Sequence, residues 1–327
     1  MADACDRNSS IPVDHFDATS TADEIVTSLI RAGGCIVRGM VHRSDLAQIE
    51  TDVRPLLDAD TPWAGSYFPP ETRRAGGLAC KSATFLRVIV QNALYQEVCA
   101  RLVTSRVKNW YGSEAFENTS APQMNSAFAI SIGPGAAPQG LHRDDGNYHN
   151  QLPAITVEEY AIGRDTSVIL FVAGSKVTKQ NGTTRFVPGS HLKGSEEAPD
   201  EKNVVYAEMD PGDGFIMLAS THHGGSANMT ENEERLMYGT CMVKGFLRQV
   251  CSSLKKAIRI MSSLRQYYAK EENQYLALPI EKVKKLSKDT QRLLGYGVSD
   301  PWTGWVDFKD PVEYILSNEG SEKKAIW

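Results

Sequence analysis

The sequence lacks any long run of apolar residues. No stretch reaches the roughly 18 residues that a membrane-spanning helix requires. The first residues, Met-Ala-Asp-Ala-Cys-Asp-Arg, are acidic and polar, whereas a secretory signal would be basic and then apolar. Both observations predict a protein that neither enters a membrane nor is secreted, and they favour the cytoplasm.

Paired cysteines with redox or metal-binding spacing are also missing. The six cysteines are scattered along the chain and none belongs to a CxxC motif. This distribution is typical of free thiols in a reducing compartment, which again favours the cytoplasm.

The sequence also has no excess of positively charged residues. The chain has 35 Lys and Arg against 40 Asp and Glu, for a formal net charge of -5. This balance, without a basic patch in the second third of the chain, argues against a nucleic-acid partner. The 327 residues are 41% hydrophobic, which is enough to bury a sizeable core.

Helical patterns dominate the first third of the chain. Residues 1–20 are polar and are expected to be flexible. Apolar residues recur at helical spacing in residues 21–31, 44–57 and much of 83–103. Residues 61–77 are rich in Pro, Gly and aromatics and predict a loop.

Short strand-like runs follow. They are separated by clusters of Gly, Pro, Asn and Asp, a pattern that predicts a sandwich or barrel. The predicted strands are residues 35–37, 127–132, 168–172, 185–187, 214–218 and 236–243. We therefore predict one domain over residues 21–327: a helical part (21–120), a β core (121–249), a possible insert (250–270) and a C-terminal tail (271–327).

A His-x-Asp motif carries the candidate chemistry. In an extended segment, residues two apart share a face, so His142 and Asp144 can project side by side. His223, which follows an apolar strand and precedes two glycines, is the candidate third ligand. Two histidines and one carboxylate leave three open positions on an octahedral metal, the arrangement of non-haem iron(II) oxygenases.

The open positions suit a bidentate 2-oxo acid and O2. Arg235 begins the next predicted strand, where its planar guanidinium could bind a distal carboxylate. A His-x-Asp motif alone is weak evidence, because an isolated histidine is more often a surface or core residue than a ligand.

The neighbouring candidates have simpler interpretations. His222 would point away from His223 in an extended chain, and Asp145 has the wrong parity. His149 could contact substrate or a metal ligand, although an exposed loop histidine is the simpler interpretation. His191 follows Pro-Gly-Ser and is expected to stabilise a turn.

With these motifs the sequence resembles the phytanoyl-CoA dioxygenase-like branch of the iron(II)/2-oxoglutarate oxygenases, and especially fungal members that modify meroterpenoids and indole alkaloids. The matching segments are Leu-His-Arg-Asp-Asp at 141–145, Asn-Gly-Thr-Thr-Arg-Phe-Val-Pro-Gly-Ser-His at 181–191, and His-Gly-Gly-Ser-Ala-Asn at 223–228 followed by Arg235. The likeness extends from about residue 17 to residue 312.

The resemblance implies a mainly β fold with flanking helices, a double-stranded β-helix or jelly roll, with the metal at its mouth. It implies iron(II) as cofactor, 2-oxoglutarate and O2 as co-substrates, and a homodimer. It also implies that Gln139 and Arg74 help hold 2-oxoglutarate, and that Thr184 assists Arg235 at the distal carboxylate.

The expected substrate is a bulky, apolar, meroterpenoid-like metabolite that loses hydrogen from an unactivated C–H bond. Hydroxylation, desaturation, rearrangement or endoperoxidation could follow, whereas Asp144 disfavours halogenation because it fills the position that halide needs. Candidate lining residues are Tyr67, Phe68, Met124 and Tyr148, with ordinary packing as the alternative for each.

One departure from the family concerns residues 250–270. In the family, Phe-Leu-Arg-Gln runs almost directly into Glu-Glu-Asn-Gln-Tyr, but here twenty-one residues separate the two segments. Either a short intron has been retained or the insert is a genuine amphipathic segment. Two functional alternatives also stay open: a non-oxidative jelly-roll isomerase or binding protein, and an inactive partner of an active homologue.

Overall fold

The structure, a computed structural model, describes residues 11–62, 68–247, 270–299, 304–305 and 310–312. The strands are β1 His15–Asp17, β2 Gly34–Arg38, β3 Thr72–Ala75, β4 Ser105–Tyr111, β5 Glu114–Ser120, β6 Gln123–Ile132, β7 Ser167–Ala173, β8 Thr184–Phe186, β9 Val205–Tyr206, β10 Gly214–Leu218, β11 His223–Gly225 and β12 Arg235–Val243. The helices are α1 Ala22–Ala32, α2 Arg43–Asp58, α3 Ala83–Phe85, α4 Ala93–Val103, α5 Gln274–Ala277, α6 Ile280–Val283 and α7 Lys288–Leu293.

Two facing sheets form the β core. The larger is seven-stranded, in the order β1-β2-β10-β7-β12-β6-β3, and the smaller has the order β11-β8-β9. Phe186 of the smaller sheet packs against Phe215 of the larger, with ring centroids 4.8 Å apart. The strand pairs are antiparallel except β1 with β2. This arrangement agrees with the predicted jelly roll.

Successive side chains of the central strands belong alternately to two hydrophobic clusters. On β7, Leu170 and Val172 join a cluster formed with the N-terminal helices, whereas Ile169 and Ala173 face the smaller sheet. The same alternation runs through β10 and β12. Because side chains of a strand alternate between its faces, every second residue of these strands is directed toward the space between the sheets.

Helix α1 begins and ends where the sequence indicated. The Thr21 hydroxyl accepts a hydrogen bond from the Glu24 backbone N–H, and the Glu24 carboxylate accepts one from the Thr21 backbone, which together make a capping box. Gly33 ends the helix with φ +80°. A side chain there would also collide with Thr221, so glycine is required for two reasons.

The part predicted to be helical also contains strands. β1 lies within the expected flexible N-terminus, β3 lies within the expected loop, and β4 and β5 form a hairpin within residues 21–120. β1 and β3 are short edge strands with no apolar alternation, and each is held by backbone bonds to a strand distant in sequence. The hairpin bears exposed Trp110 and Tyr111, so burial leaves no periodic signature there.

The third predicted helix is interrupted. A π-helical turn, Leu86–Val90, follows α3, and α4 begins after Asn92, whose side chain accepts a bond of 3.1 Å from the Tyr95 N–H. None of the helices within the described ranges has the length and apolar character needed to cross a bilayer.

The possible insert lies outside the described residues, apart from its last residue. Lys270 is only 5% exposed, so it belongs to the folded tail rather than to a removable segment. The predicted boundary therefore moves back by one residue. Whether residues 250–269 are a genuine insert or a retained intron stays open.

We expect deletion of residues 250–269 to leave a soluble protein that still binds metal, with a melting temperature within a few degrees of the intact chain. The expected cost is small because loop-closure entropy changes slowly with chain length: doubling the length of a loop costs only about 0.6 kcal/mol. Calorimetry and metal titration test this. A deletion that extends through Lys270 is the matched control and should be destabilised. An insoluble product, together with a native transcript that always encodes the segment, would contradict the prediction.

Candidate metal centre and co-substrate pocket

Backbone hydrogen bonds hold the three candidate ligands in place. His142 and His223 form an isolated antiparallel bridge and exchange two N–H to carbonyl bonds of 2.9 Å. Asp144 begins a short 3-10 turn, and its N–H donates to the Ala219 carbonyl at 2.9 Å. Arg143, which lies between His142 and Asp144 in the chain, has an extended backbone. The side chains of His142 and Asp144 therefore project to one side, as the parity argument required.

The three side chains meet at one point. One ligand atom from each lies within 4.8 Å of the other two. The Nε2 atoms of both His142 and His223 lie 3.5 Å from oxygens of Asp144. Ligands that bind one divalent ion at about 2.1 Å are separated by similar distances, so the geometry fits a single metal held on one face.

The imidazoles are also oriented for metal binding. His142 Nδ1 lies 2.9 Å from the Gly140 carbonyl oxygen, and His223 Nδ1 lies 3.1 Å from that of Thr221. Because a carbonyl can only accept, Nδ1 carries the proton in each ring and the Nε2 lone pair is directed to the centre. Backbone carbonyls orient metal-binding histidines in this way in many proteins.

The electrostatics agree with a cation at this place. Burial lowers the pKa of His223 to about 3, so the ring is neutral and able to ligate at pH 7. Burial raises the pKa of Asp144, although the neighbouring His142 opposes that effect. A divalent ion would favour the carboxylate form and offset the cost of burying it. The residues present therefore fit iron(II).

A cavity of about 660 Å³ lies beside the triad. Its apolar wall comes mainly from the inner faces of β6, β7 and β12, as the alternation dictates. The apolar lining residues include Phe128, Ile130, Ile169, Phe171 and Met237.

Arg235 lies in the same wall and is 3% exposed. Its Nε donates to the Gly182 carbonyl at 3.0 Å, and within the described ranges no carboxylate pairs with it. Burial lowers the pKa of its guanidinium to about 9, so the group is still charged at pH 7. A buried cation without a counter-ion fits the predicted role of binding a carboxylate from the co-substrate.

The other residues predicted to bind the co-substrate also line the cavity, but they differ in the partners that they already have. The Gln139 Oε1 atom accepts a bond of 3.0 Å from the Gly225 N–H, which holds the amide beside β11. Thr184 stands opposite Gly225 in the strand register. Arg74 donates from Nε and Nη2 to Asp60 at 3.0 and 2.9 Å, so its charge is already paired, and its role at 2-oxoglutarate stays a prediction.

The other histidines near the triad, and Asp145, have the non-ligand environments that the simpler interpretations predicted. His222 is buried outside the triad; its N–H donates to the Ser190 hydroxyl at 2.8 Å, and burial lowers the pKa of its ring to about 4. Asp145 accepts from Asn150 at 3.1 Å instead of joining the triad. His191 contacts the carbonyl of Ile30 at 2.8 Å, and His149 is exposed, with φ 52°.

Of the residues predicted to line the substrate cavity, some lie on its wall and others do not. Phe68 lines the cavity, and Tyr67 lies outside the described residues. Met124 packs in the cluster formed with the N-terminal helices, because a bulge in β6, opposite Cys241 and Met242, shifts the register of β12 against β6 there. Tyr148 is buried between the sheets.

Sequence reasoning missed Glu271, which also lines the cavity. It belongs to the Glu-Glu-Asn-Gln segment after the possible insert, which was noted for its family likeness but not for chemistry. The adjacent Glu272 binds the N–H groups of Gly77 and Ala127, so this segment joins β6 to the loop after β3.

Comparison with known proteins supplies the family. Residues 29–237 match the family model described as phytanoyl-CoA dioxygenase. The chain belongs to the phytanoyl-CoA dioxygenase family. It is similar to the dioxygenase himG of Aspergillus japonicus, with 40% identity over 91% of this chain and 88% of that protein. It is also 40% identical to the dioxygenase peniF of Penicillium patulum, over 93% of this chain and 92% of that one.

Solved structures agree on the fold. The carbocyclase SnoK from nogalamycin biosynthesis matches 69% of this chain and 87% of its own, with a TM-score of 0.50 and 15% identity. The epimerase SnoN, solved with Fe3+ and alpha ketoglutarate, matches 69% and 84%, with a TM-score of 0.50 and 18% identity. The family and the triad together confirm the predicted class: this member is a dioxygenase, an oxidoreductase that uses iron and 2-oxoglutarate.

Proposed function

We propose that this dioxygenase oxidises a bulky, apolar, meroterpenoid-like metabolite at an unactivated C–H bond. The observation that carries the proposal is the position of the triad, at the edge of a 660 Å³ cavity whose wall is largely apolar. Such a wall favours an apolar molecule and excludes water from the reacting centre.

Each site residue has a proposed part. His142, Asp144 and His223 hold iron(II), while Arg235, with Thr184 beside it, binds the distal carboxylate of 2-oxoglutarate. Gln139, fixed by the Gly225 N–H, borders the same space. The iron centre supplies the oxidising power for C–H cleavage, with 2-oxoglutarate and O2 consumed and succinate and CO2 released.

Two features of the chain's own residues direct the reaction. Asp144 is present where a halogenase would need room for halide, so oxygenation or desaturation is the expected outcome. The inner faces of β7 and β12 would hold the substrate by shape, which would bring one of its C–H bonds toward the side of the triad that faces the cavity. Rearrangement and endoperoxidation are further outcomes of the same hydrogen abstraction.

A panel of fungal terpenoid intermediates tests the proposal. Iron-loaded protein should consume 2-oxoglutarate and form succinate with at least one of them, and a product altered by oxygen insertion or hydrogen loss should appear by mass spectrometry. The Asp144→Asn variant is the matched control and should form no product. Isomerised product without succinate would favour a non-oxidative enzyme instead, and inertness toward every compound would contradict the proposal.

We infer as well that the protein is a cytoplasmic homodimer. The exposed apolar side chains of the β4–β5 hairpin, Val107, Trp110, Tyr111 and Phe116, support a contact between two copies. Light scattering should then give twice the mass of one chain, and a single-chain mass at micromolar concentration would contradict the dimer.

A further inference from the structure

Glu271 places on the cavity wall a carboxyl group whose hydrogen-bond partners are all neutral. Its Oε1 atom accepts hydrogen bonds of 3.2 Å from the Asn147 amide and from the Tyr148 hydroxyl. Its backbone N–H donates to the Asn125 side-chain oxygen at 2.8 Å. These partners are all neutral, and no cation pairs with Glu271 in the parts of the chain that the structure describes.

The carboxylate faces the cavity rather than bulk water. The Glu271 residue is exposed. The surrounding protein nevertheless desolvates its carboxyl group and raises the pKa, and the nearby Asp144 carboxylate raises it further. The two observations agree if the exposed surface of Glu271 is cavity wall, and Glu271 does line the cavity.

The other charged side chains of the wall have partners. Arg74 pairs with Asp60, and Arg143 donates from Nη2 to the Ser190 carbonyl at 2.5 Å and lies near enough to the Asp145 carboxylate for the two charges to attract. The triad is occupied by iron and Arg235 by 2-oxoglutarate in the proposed function. Among the described residues, Glu271 is left as the charged group on this wall with no side chain of opposite charge beside it.

The sum of the charges in the site with iron(II) and 2-oxoglutarate bound also singles out Glu271. The two positive charges of iron(II) and the one of Arg235 balance the Asp144 carboxylate and the two carboxylates of 2-oxoglutarate, while Asp60 offsets Arg74 and Asp145 offsets Arg143. The Glu271 charge is then in excess. A substrate with a polar hydrogen would find an acceptor there, at a defined position relative to the metal.

Filling the cavity with a purely apolar molecule would be unfavourable. Such a molecule would offer no donor to the free side of the Glu271 carboxylate, and a desolvated anion without sufficient donors is costly. A substrate that brings its own donor avoids that cost and gains a charge-assisted hydrogen bond.

We propose that Glu271 orients the substrate by accepting a hydrogen bond from a donor group, either a hydroxyl or a protonated amine, on an otherwise apolar molecule. The inference rests on the proposed function and narrows its substrate class. With the donor held at Glu271 and the body held by the apolar wall, the C–H bond that faces the metal is determined by its distance from the donor.

Matched probes with one hydrocarbon cage test the proposal: adamantylmethanol, its methyl ether and adamantylmethylamine. Each is titrated without O2 into protein loaded with iron(II) and 2-oxoglutarate, and binding is followed by the visible charge-transfer absorption of the iron chelate. We expect intact protein to bind the alcohol or the amine ~10- to 100-fold more tightly than the ether, the range of a hydrogen bond to a charged group.

The variants separate the two donors. Glu271→Leu should abolish the preference over the ether for both compounds. Glu271→Gln should retain part of it for the alcohol, because the amide oxygen still accepts, and a smaller part for the amine, because the amide oxygen accepts but the attraction between opposite charges is lost. Glu281→Gln, at an exposed carboxylate in α6, is the matched control and should behave as the intact protein. Affinity for 2-oxoglutarate should be unchanged in every variant.

Two results would overturn the inference while the proposed function stands: equal binding of ether, alcohol and amine by the intact protein, or a preference that survives in Glu271→Leu. If no probe binds and no terpenoid is oxidised, the proposed function itself fails.

Discussion

Replacing His223 with alanine is expected to abolish iron binding, whereas His222→Ala leaves it intact. His223 belongs to the triad and directs its Nε2 toward Asp144, and His222 does not. Substituting groups that only orient a ligand costs ~10- to 100-fold in metal affinity, so removing a ligand should cost at least the upper end of that range. Anaerobic calorimetric titration with iron(II) measures both variants.

The two histidines make a matched pair because they are adjacent and both buried. The bridge between residues 142 and 223 uses backbone atoms, so His223→Ala should preserve it, and circular dichroism should show a folded protein. Retained iron affinity in His223→Ala, with loss in His222→Ala, would mean that the wrong neighbour has been assigned.

Arg235→Ala should weaken 2-oxoglutarate binding by about 2–5 kcal/mol, which is roughly thirtyfold to several-thousandfold. The guanidinium is buried and pairs with no carboxylate within the described ranges, so a bound carboxylate would be its counter-ion. Arg235→Lys retains the charge but loses the planar pair of donors, and we expect an intermediate loss. Calorimetry on metal-loaded protein without O2 gives the dissociation constants.

A shorter ligand separates this role from a structural one. Because 2-oxobutyrate has the keto-acid group but no distal carboxylate, it should bind the intact protein and Arg235→Ala equally well. Arg235 Nε also holds the Gly182 carbonyl, so a general disturbance of the pocket would weaken both ligands alike. Equal weakening of both, or unchanged 2-oxoglutarate affinity in the variant, would contradict the assignment.

The strongest local patterns predicted the fold well. The apolar runs at 214–218 and 236–243 correspond to β10 and β12, and Thr21 caps α1 as its sequence position indicated. Buried central strands and capped amphipathic helices leave periodic signatures because one surface of each element must exclude water. The edge strands β1 and β3 leave none, since their pairing depends on a neighbouring strand rather than on their own composition.

By itself, the sequence determined the residue types and spacing of the metal site: a histidine and a carboxylate two apart, a second histidine before two glycines, and an arginine at the start of the next strand. Those features are local, because parity along an extended segment orients His142 and Asp144 whatever the rest of the chain does.

Only the tertiary structure decided which distant groups meet. It pairs Arg74 with Asp60, turns Met124 away from the cavity through a bulge in its own strand β6, and brings the Glu271 carboxylate to the cavity wall beside Asn147. Each of these depends on contacts between segments far apart in the chain, and burial and charge balance are set by such contacts rather than by local sequence.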